Sequence, residues 1–205
     1  SVLALSTRLL IKAIQFSRTI VIARLLFPND VGLFAVAAAS LGLAEMLIQP
    51  GLSSAVIRKE DITEKHLNTA WTAILIRSIL IGAIAFLLAP LGATFIGTEA
   101  IVPIIQVLAI AVAFNGLVNA VAVLLVRDMR LNRKMLCDVS LVVAETIGII
   151  VAAFVLQNAW ALVVGVLVNK LTAVSMSYVI HPYRPKLSFD MGAFKELFSF
   201  GKWVG

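Results

Sequence analysis

The chain has 205 residues, 61% of them hydrophobic and 14% charged, with a formal net charge of +6 and a mean hydropathy of +1.03. Soluble domains lie nearer about 45–50% apolar and about 25% charged, so this composition excludes a soluble globule and indicates an integral membrane protein. Its single cysteine, Cys137, excludes an intramolecular disulfide and a cysteine-based metal cluster.

The apolar blocks are about 20 residues long, the length at which a helix crosses a hydrocarbon core of roughly 30 Å, and the alternation of a membrane barrel is missing. The expected fold class is therefore all-α and polytopic. The first helix is expected over Val2–Leu26. Its length and the lack of a small-residue cleavage pattern mark it as a membrane helix, not a removable signal. At about 100° per residue Arg8, Lys12, Gln15 and Thr19 share one stripe, with Arg18 on its flank. Cations inside an apolar segment cost roughly 2.5–3.5 kcal/mol each at mid-helix on insertion scales, so they must face a wet cavity, an anionic ligand or an acid. Pro28-Asn29-Asp30 breaks the chain, with Asn29 or Asp30 able to cap the next helix and Arg24 placed to pair with Asp30.

Helix 2 (about Asp30–Ile48) is rich in alanine and glycine, which allow close helix approach, and carries Glu45 in its last turns. After Pro50-Gly51 and the charged run Arg58-Lys59-Glu60-Asp61, a cap at Asp61 or Thr63 opens helix 3 (about Leu67–Ala89), with Arg77 near its centre, and Pro90, Gly92 and Gly97 mark a short turn after it. Helix 4 (about Ala100–Val126) carries Asn115 and Asn119 on one face, suited to hydrogen bonds between helices. The basic run Arg127–Lys134 precedes helix 5 (about Met135–Leu156), which holds Glu145. Gln157-Asn158 forms a tight turn into helix 6 (about Ala159–Ile180), with Asn169 and Lys170 near its middle. Trp160 sits where interfacial aromatics belong. Pro182 and Pro185 flank a linker, and Phe194, Leu197, Phe198 and Trp203 begin an amphipathic seventh helix. The chain starts at Ser1 and stops inside an apolar pattern, as a piece of a longer protein would. The domain expectation is a six-helix transmembrane lobe over 1–180, a linker over 181–190 and the start of helix 7 over 191–205.

The loops after helices 2, 4 and 6 hold Arg58, Lys59 and Lys65; Arg127, Arg130, Arg133 and Lys134; and Arg184, Lys186 and Lys195. Those after helices 1, 3 and 5 hold only Arg24. By the positive-inside rule the first group and the N-terminus are cytoplasmic, which accounts for the basic charge without a nucleic-acid partner. Arg8 can snorkel to headgroups. Within the membrane Arg8, Lys12, Arg18, Arg77 and Lys170 outnumber Glu45 and Glu145. Glu145 and Lys170 lie at similar depth and can pair, as can Lys12 and Glu45, leaving a positive surplus suited to an anionic, phosphate-bearing substrate. His66 and His181 are isolated and no nucleotide-binding glycine motif occurs, so no metal site, cofactor or enzyme activity is expected.

Ala23-Arg24-Leu25-Leu26-Phe27-Pro28-Asn29-Asp30-Val31-Gly32-Leu33 resembles the joint between the first two helices of bacterial polysaccharide-biosynthesis flippases, in the multidrug/oligosaccharidyl-lipid/polysaccharide exporter superfamily. Gly51–Asp61, Asn68-Thr69-Ala70-Trp71, Ala159–Val163, His181–Pro185 and Phe198–Trp203 are similar to that family in order and spacing. The resemblance implies flipping of an undecaprenyl-phosphate-linked oligosaccharide across the bacterial inner membrane, by alternating access between two six-helix lobes of which this chain is the first. Its implied partners are that lipid-linked substrate and membrane lipids, with a polysaccharide polymerase and glycosyltransferases in the same pathway. In this reading Arg18, Arg77, Lys12 and Lys170 bind substrate, and Glu45 and Glu145 pair with them or couple to an ion. Two alternatives stay open: a drug/cation antiporter of the same superfamily, which needs an acidic cavity, and a non-transporting scaffold subunit of a polysaccharide assembly complex.

Overall fold

The computed structural model describes residues 2–47, 63–118, 131–180 and 184–195. These residues form six helices: α1 (Val2–Leu25), α2 (Pro28–Leu47), α3 (Glu64–Ile96), α4 (Ile101–Asn115), α5 (Leu131–Leu156) and α6 (Trp160–Ile180). No strand occurs among them. The protein is an all-α polytopic membrane protein. α3, residues Lys134–Leu156 of α5, and α6 are each long and apolar enough to cross a membrane; α2 and α4 contribute shorter apolar segments. Large apolar side chains such as Phe95, Val155 and Val179 point outward, the arrangement expected where lipid replaces water as solvent.

The helix ends show which local signals operate. Pro28 takes the first helical position of α2, and Phe27, not Asn29 or Asp30, supplies the capping carbonyl, accepting the N–H groups of Asp30 and Val31 at 3.0 and 3.3 Å. Proline suits that position because its missing N–H would be unsatisfied there anyway. Arg24 and Asp30 do not form an ion pair, and Arg24 is exposed. At the start of α3, Thr63 is extended and donates its N–H to His66 Nδ1 at 3.4 Å. His66 therefore serves a cap. Asp61 lies outside the described residues.

Of the expected turn residues Pro90, Gly92 and Gly97, it is Gly97 that ends the helix. α3 continues through Pro90 to Ile96 and ends at Gly97, whose φ of 74° and N–H to Ala93 carbonyl (2.8 Å) make a left-handed cap. Proline forfeits one bond, to the carbonyl four residues back, and a long membrane helix tolerates that loss better than it tolerates an exposed break. α4 is shorter than expected: it closes at Asn115 in a hydrogen-bonded turn at Gly116–Val118, and Asn119 lies outside the described residues. α5 begins four residues early, at Leu131, because Lys134 and Asp138 form an i,i+4 ion pair at 2.7 Å that extends the helix into the basic run. Gln157 takes a left-handed φ of 48° between α5 and α6, and Asn158 Oδ1 accepts the Trp160 N–H at 3.0 Å.

α3–α4 and α5–α6 are antiparallel hairpins that meet along α4 and α6; α2 lies on α4, and α1 runs beside α5. Glycines set these crossings. A methyl group on Gly165 would overlap Ile149, and one on Gly82 would lie 2.7 Å from the Ala109 carbonyl oxygen. Two apolar clusters hold the bundle: Ala37, Leu41, Ala89, Ala93, Ile101, Ile104, Ile105, Leu108, Ala109, Ala159 and Val163; and Leu26, Ile149, Ala152, Ala153, Ala161 and Leu162. Both lie toward the end of the bundle that carries the turns at Phe27, Gly97 and Gln157.

Candidate functional site

Glu145 on α5 is the hub of a polar layer across the bundle. Arg18 of α1 donates from Nη1 to Glu145 Oε1 at 2.6 Å, and Asn169 of α6 donates from Nδ2 to Oε2 at 3.0 Å. The Arg18 and Glu145 side chains are 20% and 22% exposed. Both carboxylate oxygens are thereby used. The next residue on α6, Lys170, points to the other side and donates from Nζ to Asn115 Oδ1 of α4 at 2.8 Å. One turn of α6 thus sends two polar groups in two directions, because neighbouring residues on a helix project about 100° apart.

This is a correction to the pairing expected from depth alone. Glu145 does not meet Lys170; it meets Arg18, which the first helix brings alongside α5 in parallel, with Thr7 near Met135 at 3.6 Å and Arg18 at Glu145 farther along. Asn115 was expected as a bond between helices, and it makes one to α6. The Thr146 hydroxyl, beside Glu145, is buried without a hydrogen-bond partner.

Of the other sequence-nominated residues, Arg77 is half-buried on α3. Gly116 packs so closely on α3 that its Cβ would lie 2.8 Å from Leu75 Cα and 3.1 Å from Ser78 Cβ, which sets the Arg77 turn at the level of Asn115. Lys12 is exposed on α1, about 9 Å along the axis from Arg18 at 1.5 Å per residue. Glu45 belongs to α2, and its side chain lies outside the described residues.

Electrostatically the layer is uneven. Arg18 pairs with the Glu145 carboxylate, whereas the partner of the Lys170 ammonium among the described residues is a neutral amide. From Arg18 and Glu145 outward, away from the apolar clusters, no residue over 5–17 of α1 or 134–144 of α5 is buried. The polar layer therefore lies where burial along α1 and α5 falls away, toward the end at which Arg8 and Lys12 are exposed.

Set against known proteins, residues 21–205 match the profile of a family described as polysaccharide biosynthesis protein. That match covers most of the chain. The chain belongs to this polysaccharide biosynthesis family. Its relatives include the lipopolysaccharide biosynthesis protein WzxC of Escherichia coli strain K12, 24% identical over 186 residues, which is 90% of this chain and 38% of that protein. The succinoglycan biosynthesis transport protein ExoT of Rhizobium meliloti strain 1021 is 22% identical over 193 residues, 92% of this chain and 38% of ExoT. The teichuronic acid biosynthesis protein TuaB of Bacillus subtilis strain 168 is 21% identical over 160 residues, 77% of this chain and 33% of TuaB. The chain spans about two-fifths or less of the length of these relatives. No solved structure matches.

Proposed function

We propose that this chain is the first lobe of a transporter that flips an undecaprenyl-phosphate-linked oligosaccharide from the cytoplasmic to the outer leaflet of the bacterial inner membrane. It acts by alternating access and not as an enzyme. Residues 1–180 form the lobe, 181–190 the linker on the cytoplasmic side together with the N-terminus, and 191–205 the entry to a seventh helix.

The observation that carries this reading is the charged layer: Lys170 anchored by the neutral Asn115, beside a closed Arg18–Glu145 pair. A membrane interior tolerates an uncompensated ammonium only where water or an anion reaches it. Phosphate is a strong match, since it accepts several charge-assisted hydrogen bonds at once. Lys170 and Arg77 supply the first cationic contacts, Lys12 lies toward the entrance, and Arg18 is released to the substrate when Glu145 exchanges partners. The membership in a polysaccharide biosynthesis family, with a transport protein among the relatives, supports the substrate class. A drug/cation antiporter needs an acidic cleft, and the described interior holds the opposite sign.

Complementation of a strain lacking the full-length protein tests this. Lys170→Gln and Arg77→Gln are each expected to reduce surface polysaccharide about tenfold or more at equal expression, the loss of one charge-assisted contact. Normal polysaccharide from the double variant contradicts the cationic site.

A further inference from the structure

Residues 184–190, which follow α6, cross α3 without regular secondary structure. The backbone N–H groups of alternate residues turn to one face of that helix: Lys186 N donates to Asn68 Oδ1 at 2.9 Å, Ser188 N to Thr72 Oγ1 at 3.2 Å, and Asp190 N to Thr69 Oγ1 at 3.2 Å. Thr72 completes a reciprocal grip by donating its hydroxyl to the Ser188 carbonyl at 3.1 Å. The segment is tied at its start as well. Arg184 donates to the Tyr178 carbonyl at 3.0 Å in the last turn of α6, with its guanidinium 5.5 Å above the Tyr178 ring.

This contact differs from the usual behaviour of hydroxyls on these helices. Thr19, Ser40, Ser140 and Thr172 each donate to the carbonyl four residues back in their own helix, the local option open to serine and threonine. Thr72 donates to the crossing segment instead, and Thr69, fully buried at 0% exposure, accepts from it. Hydrophobic burial does not hold the segment in place, since Leu187 is 73% and Phe189 47% exposed. Period-2 backbone donors meeting a row of side-chain acceptors is the logic of strand addition, with a helix face in place of a strand edge.

We propose that Asn68, Thr69 and Thr72 are positioning residues that clamp 184–190 as a fixed strap on the first lobe throughout the transport cycle. The pivot toward the following helix then lies at or beyond Asp190, where the helical turn 191–195 begins. This rests on the transporter reading above only for the word cycle; the clamp itself rests on the hydrogen bonds. It assigns the Asn68-Thr69-Ala70-Trp71 segment a task that the charged layer leaves unexplained: α3, which carries Arg77 five residues after Thr72, sets the take-off point of the next helix.

Two measurements on the full-length protein test the proposal. Thr69→Val with Thr72→Val keeps shape and removes the hydroxyls; hydrogen exchange at the amides of Ser188 and Asp190 is expected to quicken about tenfold, the equivalent of one or two modest hydrogen bonds. Unchanged exchange overturns the clamp. In a protein whose native cysteines are replaced by alanine, Thr72→Cys with Ser188→Cys is expected to cross-link readily and to export polysaccharide as well oxidised as reduced. Export that stops on oxidation and returns on reduction overturns it, because the strap would then have to detach. If the full-length protein exports no lipid-linked oligosaccharide at all, the function proposed above fails, while hydrogen exchange still decides the clamp.

Discussion

The bundle has two unlike halves. Toward the turns at Phe27, Gly97 and Gln157 the described helices are packed by Ala37, Ala89, Ile101, Ile104, Ala109, Ala153, Ala161 and Val163, all nearly or fully buried. Toward the opposite end, α1 over 5–17 and α5 over 134–144 bury nothing, burial continues on α3 with Leu67, Ala70 and Trp71, and polar contacts join the elements: Thr7 to Met135, and 184–190 to α3. The Arg18–Glu145–Asn169 network sits at the boundary. The contrast sets a closely packed, closed half against a half that is more open along α1 and α5, and fits the proposal that water and ligand enter from the open side. Small residues in the closed half bring backbones together, and polar side chains supply ties between helices in the open half.

The largest expected effect breaks the closed half. Gly82→Val pushes a side chain into the Ala109 carbonyl, a backbone atom that cannot swing aside. We expect a loss of about 3 kcal/mol, at the upper end of the range for overpacking, seen as a fall of the thermal midpoint of the purified full-length protein in detergent. An equal substitution at Gly42, which has open space around its Cβ position, should change little and so sharpens the comparison.

Next is the boundary. Glu145→Ala leaves the Arg18 guanidinium half-buried and without its acid, at a cost of about 1–3 kcal/mol. Arg18→Ala combined with it should recover part of that loss in a double-mutant cycle read by the same thermal midpoint. Strict additivity would show that the two charges do not interact. Thr63→Ala removes the hydroxyl that meets His66 Nδ1 at 2.7 Å at the start of α3 and should cost about 1 kcal/mol, the usual value of a lost cap, measured in the same way.

The smallest effect belongs to the open half and is pH-dependent. The Ala193 N–H, then the Gly192 N–H, hold the Asp190 carboxyl below the ordinary carboxylate range. A lowered folded value means that the ionised form favours the folded turn. Its contribution is complete above the ordinary carboxylate pKa and fades as pH falls through the lowered one. Hydrogen exchange at Gly192 and Ala193 should therefore accelerate relative to an uncapped reference as pH falls toward that value, and Asp190→Asn, which keeps an acceptor but does not titrate, should abolish the pH step.

Much of this was legible in the sequence. Hydropathy and turn residues place all six described helices, since a chain in lipid must satisfy its backbone within each span. Arg18, Glu145, Asn169 and Lys170 are legible as costly polar residues. Their partners are not, because depth gives only one coordinate: Glu145 and Lys170 share a level but face different neighbours. Pro90 misleads because its turn signal comes from water-soluble helices, and the basic run before Met135 misleads because Lys134 finds Asp138 one turn on. The strap was read only as a linker; its signal, Asn68, Thr69 and Thr72 on α3, lies more than a hundred residues from the segment it holds.

The most direct test of the account is binding of a polyprenyl-pyrophosphate to the full-length protein in nanodiscs. Exchanging Lys170 and Arg77 together for glutamine is expected to weaken binding at least about tenfold and to flatten its dependence on salt, since charge-assisted contacts to phosphate are lost. Affinity and salt dependence equal to those of the unaltered protein would contradict a phosphate site in this layer.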